Sequence, residues 1–455
     1  MKIIIGGAGE VGFHLAKLLS NEMNDIVIVD MDKDKLSMIE NSLDVMAFRG
    51  DITSFKALRD VGVKDADMFI SVTHLQNTNL TSASIAKELG ATRTLARISN
   101  PEFLYKENQF WVQGMGIDAL ISPEKLAADE IYSLVQQSAF NAMHPFANGQ
   151  LFMVGTVLDK DCKILDKPYK DMYLTTKGGM ENLFTPIAII RSNDRGEYKT
   201  IIPEAETEFR IDDHVYFIVK KSGILEIYKM LGKKQEYFKN VIVLGGGSIG
   251  VKTAKILKEN KHNVKLIEID RNKAFDLADE LNNILIINGD GRDGELLIEE
   301  GISDSDAFIA VTGSSETNIM SCLLAKSRGV KKTIALVENI DYIHLSQEVG
   351  INAFINKKLL TADSIFRYIR QGSVMDVTGI SDLDAEVLEF RIHEDSEIAF
   401  KKVSEFPFKE GAIIAGITRR NDGFIPTNDF IIEPKDHVVV FSQASLIPKV
   451  TKYFK

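Results

Sequence analysis

The chain has 455 residues, a length that at about 150 residues per domain gives roughly three domains rather than one core. Apolar residues make up 45% and charged residues 26%, with only 10 prolines, which excludes a largely disordered chain. A formal charge of −11 with no basic block argues against binding nucleic acid or anionic lipid directly.

The chain opens Met1-Lys2-Ile3-Ile4-Ile5-Gly6, an apolar run too short for a signal peptide, and no stretch approaches the roughly 18 apolar residues of a membrane span. The expectation is a soluble, cytoplasmic protein whose role at any membrane comes through a partner. After this first strand come Gly7, Gly9 and Gly12, a G-x-G-x-x-G spacing that opens a helix. Asp30 then closes the apolar run Ile26 to Val29. Gly50-Asp51, Val72-Thr73 and Arg97 mark the ends of the third, fourth and fifth strands, and Thr78-Asn79 is a further mark after the fourth. Ala128, Ile131, Tyr132 and Val135 have the i, i+3, i+4, i+7 spacing of one apolar helix face. A segment of short β-branched runs follows, broken by Asp194-Arg195-Gly196 and carrying Asp213-His214-Val215, which predicts hairpins in a small β-rich module. A helix is expected to stop at Gly232, before the polar linker Lys233-Lys234-Gln235-Glu236.

The whole pattern then recurs. Gly245, Gly247 and Gly250 follow the strand Val241 to Leu244, and Glu268 takes the place of Asp30. Gly289-Asp290, Val311-Thr312 and Thr317-Asn318 repeat the later marks, and Ala362, Ile365, Phe366 and Ile369 repeat the helix face. Asn421-Asp422-Gly423 and Asp436-His437-Val438 close a second β-rich segment. The fold class predicted is α/β: two tandem Rossmann-type parallel-sheet domains, each followed by a small β-rich α+β module. The boundaries are 1–125, 140–225, 238–358 and 376–455.

A glycine triplet between strand and helix, with an acid about twenty positions on, is the dinucleotide-binding fingerprint. The first glycine permits the turn, the second admits a pyrophosphate, and the third lets helix and strand touch. Asp30 and Glu268 would accept from a ribose diol and repel a 2′-phosphate, favouring NAD(H) or an adenine nucleotide over NADP(H). Asp51 and Asp290 would meet an adenine edge or cap a turn; Thr73 and Thr312 would face ligand or cap a helix. Asp32 and Asp270 lie where the second strand has ended. Arg97 has Leu336 as its counterpart, so the two sites differ in charge. The apolar helix faces either join neighbouring units or pack on their own domain.

Chemistry beyond binding is sparse. Of eight histidines only His214 and His437 recur between the halves, in a β setting that favours a structural role. Cys162 and Cys322 build neither a zinc site nor a disulfide framework. No paired carboxylates, nucleophile elbow or P-loop is present, so no catalytic residue and no metal site are assigned, and an enzyme is not expected.

These marks resemble the TrkA family, cytosolic regulatory subunits of Trk potassium-uptake systems, over essentially all 455 residues. The resemblance implies alternating RCK N-terminal (TrkA-N) and RCK C-terminal (TrkA-C) domains in a homo-oligomeric ring, dimer or tetramer. The ring would lie beneath a TrkH- or TrkG-like membrane potassium pore subunit, peripheral on the inner face of the cell membrane. It implies NAD or NADH, with ADP or ATP as alternatives, at Gly7, Gly9, Gly12, Asp30, Asp51, Thr73 and Arg97. In the second half it implies Gly245, Gly247, Gly250, Glu268, Asp290 and Thr312. Glu10 departs from relatives that carry an arginine there, and its carboxylate would repel a triphosphate. Two other functions are weighed: a duplicated NAD-linked oxidoreductase, and a nucleotide sensor for another partner such as a potassium efflux system.

Overall fold

A computed structural model describes residues 1–20, 24–172, 183–192, 198–339, 342, 350–370, 374–379, 385–408 and 411–454. The first sheet comprises β1 (Lys2–Gly6), β2 (Asp25–Asp30), β3 (Met46–Arg49), β4 (Met68–Ser71), β5 (Arg93–Arg97) and β6 (Ala119–Ile121). Its order is β3-β2-β1-β4-β5-β6, all parallel. Ile3, Ile4 and Ile5 are wholly buried, as a central strand covered by helices on both faces requires. Helices α1 (Glu10–Ser20), α2 (Lys33–Ser42), α3 (Phe55–Asp60), α4 (Gln76–Glu88) and α5 (Gln109–Gly114) connect the strands, and α6 (Pro123–Gln136) follows β6. The strand order reverses between β1 and β4, which opens a crevice at the carboxyl ends of the strands.

A five-stranded antiparallel sheet comes next, made of β7 (Ala142–Phe146), β8 (Leu151–Val157), β9 (Phe184–Ser192), β10 (Tyr198–Ile201) and β11 (His214–Lys220) in the order β10-β9-β11-β8-β7. The predicted turn Asp194-Arg195-Gly196 lies outside the described residues. The helix Ile224–Met230 ends as expected at Gly232, whose φ of +70° carries the chain through the left-handed region.

The second parallel sheet has β12 (Asn240–Leu244), β13 (Asn263–Glu268), β14 (Leu285–Asn288), β15 (Ala307–Ala310), β16 (Lys332–Leu336) and β17 (Ala353–Ile355) in the order β14-β13-β12-β15-β16-β17. It has the same topology as the first. The last sheet is β18 (Val374–Gly379), β19 (Ala385–Arg391), β20 (Ala412–Arg419), β21 (Asp422–Phe424) and β22 (His437–Gln443), ordered β18-β19-β22-β20-β21. Read from the other edge, this matches the first antiparallel sheet strand for strand. The β20–β21 turn falls on Arg420 and Asn421, at φ of +50° and +72°, one position before the Asn-Asp-Gly expected. A two-residue hairpin needs positive φ at both central positions, and here Asp422 and Gly423 already belong to the returning strand. The two antiparallel sheets share one apolar cluster, in which Ile187, Tyr216 and Ile218 pack with Val387, Val439 and Phe441.

The chain divides into two compact units that do not follow its two halves. The first holds residues 1–129 and 355–369. The second holds residues 130–354 and 370–455, that is, the second parallel sheet and both β-rich modules. The helix Lys357–Arg370, which follows the second parallel sheet in sequence, thus belongs with the first. There Arg93, at the start of β5, donates to the carbonyls of Tyr368 (3.4 Å) and Ile369 (3.2 Å) in its last turn. Last-turn carbonyls lack intrahelical donors, so a guanidinium caps them.

Lys332 takes the place of Arg93 in the second sheet and donates to the carbonyl of Phe140, just after α6. It is fully buried, and burial, helped by nearby Lys233, pushes its pKa down to about 7. Between about pH 7 and the ordinary lysine value of 10.5 the unfolded chain keeps a proton that the folded chain has released. Stability therefore rises with pH across that window, by up to about 1.4 kcal/mol per unit. Urea unfolding of the wild type and Lys332→Met between pH 7 and 10 checks this: the wild type gains relative to the variant as pH rises.

Candidate functional site

The two glycine loops repeat one geometry. Gly7 and Gly245 have φ of +114° and +106°, which strains any side chain. A Cβ on Gly12 would collide with the carbonyl oxygen of Gly7, and one on Gly250 with that of Gly245, so the helix sits directly against the turn. A Cβ on Gly9 or Gly247 would meet nothing within 4 Å. The middle glycine therefore faces open space, as it must if a pyrophosphate is to reach the backbone. Beside it the first-turn amides of α1 and of the helix Ser248–Glu259 lack intrahelical acceptors. The cradle fits the diphosphate of a dinucleotide.

The strand-end acids are tied to these loops. Asp30 accepts from the amide of Ala8 (2.6 Å) and from that of Asp32 (2.9 Å), one on each oxygen. Each oxygen keeps a lone pair for a diol. Glu268 is 6% exposed and accepts from the amides of Gly246 (3.0 Å) and Asp270 (3.0 Å), while Lys273 pairs with it at 2.9 Å. Burial opposes its charge, yet the Asp270 amide, Lys273 and the Gly246 amide together hold its pKa below the usual carboxylate range. One Glu268 oxygen is thus doubly occupied, which leaves the second site the poorer acceptor. Asp32 and Asp270 cap the helices that follow, Asp32 accepting from Asp34 and Lys35 and Asp270 from Lys273.

Asp51 accepts from the amide and the hydroxyl of Thr53, both at 2.8 Å, in an exposed turn. Asp290 is held by the side chain and amide of Arg292, which lower its pKa. Both are occupied with turn-capping, the second of the two roles expected. Thr73 and Thr312 lie two residues beyond β4 and β15, and neither is a helix cap. Each donates its hydroxyl to an asparagine, Thr73 to Asn79 and Thr312 to Asn318, at 2.7 Å.

These asparagines are the site residues whose role the spacing did not reveal. Asn79, 1% exposed, also accepts from the Thr73 amide (2.9 Å) and donates to the carbonyls of Thr73 (3.0 Å) and Arg97 (2.9 Å). Asn318 does the same with Thr312 and Leu336. Each amide pins the ends of the fourth and fifth strands together under the first glycine. The signal was present in the recurrence of Thr-Asn.

Charge separates the sites further. Arg97 ends β5 half-buried, and its guanidinium has no partner among the described residues; Leu336 in its place is apolar and 4% exposed. Glu10 is paired with Lys358, so the repulsion expected of its carboxylate is countered. His437 pairs with the buried Glu389 at 2.6 Å, and Glu389 also accepts from the Ala147 amide, a structural linkage within the β-rich pair. No cluster of three or more potential metal ligands and no helix long and apolar enough to cross a membrane occurs among the described residues. A cavity of about 400 Å³ lined by Asn240, Lys258, Asn263 and Glu300 opens at the amino-terminal edge of the second sheet, at the opposite end of its strands from the second glycine loop.

Fold and loops together define a duplicated dinucleotide-binding-fold protein with paired β-rich modules. The TrkA-N domain family matches residues 3–123 and 241–357, and the TrkA-C domain family residues 387–455. The Trk system potassium uptake protein TrkA of Haemophilus influenzae is 34% identical, covering 100% of this chain and 99% of that protein. The TrkA homolog 1 of Methanosarcina mazei is 31% identical, with full coverage of both. A solved structure described as the GsuK channel bound to NAD shares the fold at a TM-score of 0.59 and 16% identity, covering 99% of this chain and 78% of that one. The chain belongs to the TrkA family.

Proposed function

We propose that this chain is the regulatory subunit of a potassium-uptake system, binds NAD(H) or an adenine nucleotide, and thereby controls a membrane potassium pore protein. The observation that carries the binding is the first glycine loop: an open Gly9, free helix amides and an Asp30 carboxylate held by Ala8 with capacity left for a ribose diol. Gly7, Gly9, Gly12, Asp30 and Arg97 hold the nucleotide there, while Asp51, Thr73 and Asn79 shape the surrounding turns. In the second loop Gly245, Gly247, Gly250 and Glu268 offer a weaker site, with Asp290 and Thr312 in supporting turns. The nucleotide supplies a signal rather than a reaction, through different affinities for two states of the assembly. The assembly is a homo-oligomeric ring, peripheral on the inner membrane face. The family's naming as potassium uptake proteins supports the partner.

Charge-assisted bonds of the Asp30 kind are worth roughly 1.5–3 kcal/mol, so Asp30→Ala weakens nucleotide binding about ten- to a hundredfold. Glu268→Ala, already satisfied by Lys273, does less. Titration calorimetry of both variants checks this. Nucleotide-dependent potassium flux in vesicles carrying the pore protein falls with the binding. Flux that keeps its full nucleotide response when Asp30→Ala no longer binds would overturn the reading.

A further inference from the structure

Glu10 opens α1, and its carboxylate pairs with the ammonium of Lys358 on the helix Lys357–Arg370. Both residues lie in the first compact unit. The side chain of Lys358 is 21% exposed and that of Glu10 is 70% exposed, so the lysine is the anchored member and the glutamate the one free to turn into water.

We propose that Lys358 is a phosphate-binding residue of the first site, its ammonium leaving Glu10 for phosphate oxygens when nucleotide binds. The proposal rests on the reading that nucleotide binds at the first glycine loop. In this fold the pyrophosphate lies at the amino-terminal turn of the first helix, and the Glu10 pairing brings the Lys358 ammonium to that turn. An ion pair with one member largely in water is weakly held. A polyphosphate outcompetes it because it carries more charge and bonds to the ammonium and the helix amides at once. The second half has no such arrangement: Ser248 stands for Glu10, Glu124 for Lys358 and Leu336 for Arg97. At these three positions the first site alone carries cations, Lys358 and Arg97, whereas in the second Lys273 pairs with Glu268 and Lys252 donates to the Ser248 hydroxyl. Because Lys358 lies on the helix that follows the second parallel sheet in sequence, phosphate in the first site acts on a segment leading out of the second half.

The test is calorimetric titration of the full chain with ADP and with adenosine, which share the ribose diol and differ in phosphate. Lys358→Ala should weaken ADP about tenfold or more and leave adenosine within about twofold, Lys358→Arg should restore ADP, and Glu10→Gln should tighten it. The proposal is overturned if Lys358→Ala leaves ADP within about twofold while Asp30→Ala weakens both ligands; the nucleotide site then stands and Lys358 has no part in holding phosphate. Equal weakening of ADP and adenosine by Lys358→Ala also overturns it, since that marks a structural effect. If Asp30→Ala changes neither ligand, the underlying site fails and the proposal fails with it.

Discussion

Asp436→Ala lowers the unfolding free energy by about 3 kcal/mol, the lower end of the range for breaking a buried ion pair. Asp436 is 1% exposed and accepts from Arg419 through Nε and Nη2, both at 2.8 Å, and from the Glu433 amide at 2.8 Å. Removing the carboxylate leaves a guanidinium and an amide without their acceptor. The cost stays at the lower end because Arg419 is 26% exposed and keeps Glu433 and the Ile431 carbonyl. Asp213→Ala behaves alike, since Arg191 and the Arg210 amide meet Asp213 in the same way in the first β-rich module. Asp429→Ala is the control: its partner Lys402 is half-exposed and Asp429 itself 85% exposed, so the change costs under about 1 kcal/mol. Urea unfolding of the three variants checks the ranking, and a loss as small for Asp436 as for Asp429 would refute it.

Asn79→Ala removes the acceptor of the Thr73 amide, the Thr73 hydroxyl and the Ser71 hydroxyl, and the donor to the Thr73 and Arg97 carbonyls. Each buried group left unpaired costs about 1–3 kcal/mol, so the variant loses several kcal/mol even after local relaxation. Nucleotide affinity falls too, because the Thr73 amide lies beneath Gly7, 3.1 Å from where a Cβ would stand, and fixes that turn. Asn318→Ala gives a matching stability loss through Thr312 and Leu336 while sparing binding in the first unit. Thermal melts with parallel ADP titrations separate the effects. Equal loss of ADP binding in both variants would show that the asparagines act only on global stability.

What was legible in the sequence was local. The glycine triplets, the strand-end acids and the stop at Gly232 depend on spacing within one turn or one strand, and spacing is what a sequence displays. The duplication strengthened each mark, since Gly7 and Gly245 meet Thr73 and Thr312 in the same way. Partnering was less legible. Asp51 and Asp290 follow the third strand of each parallel sheet, but only side-chain positions show that Thr53 and Arg292 engage them. The asparagines recurred visibly, yet their task depends on carbonyls eighteen residues away.

By itself the sequence determined the duplicated α/β and β-rich order, the two glycine loops and their unequal charge at Arg97 and Leu336. The tertiary structure alone decided where the terminal helix of the second parallel-sheet unit goes. Its face at Ala362, Ile365, Phe366 and Ile369 announces that the helix is buried, but apolar burial is non-directional and names no partner. Arg93 supplies the missing direction by capping that helix on the first sheet. With it comes Lys358, which turns Glu10 from an isolated negative charge at the start of α1 into half of an ion pair.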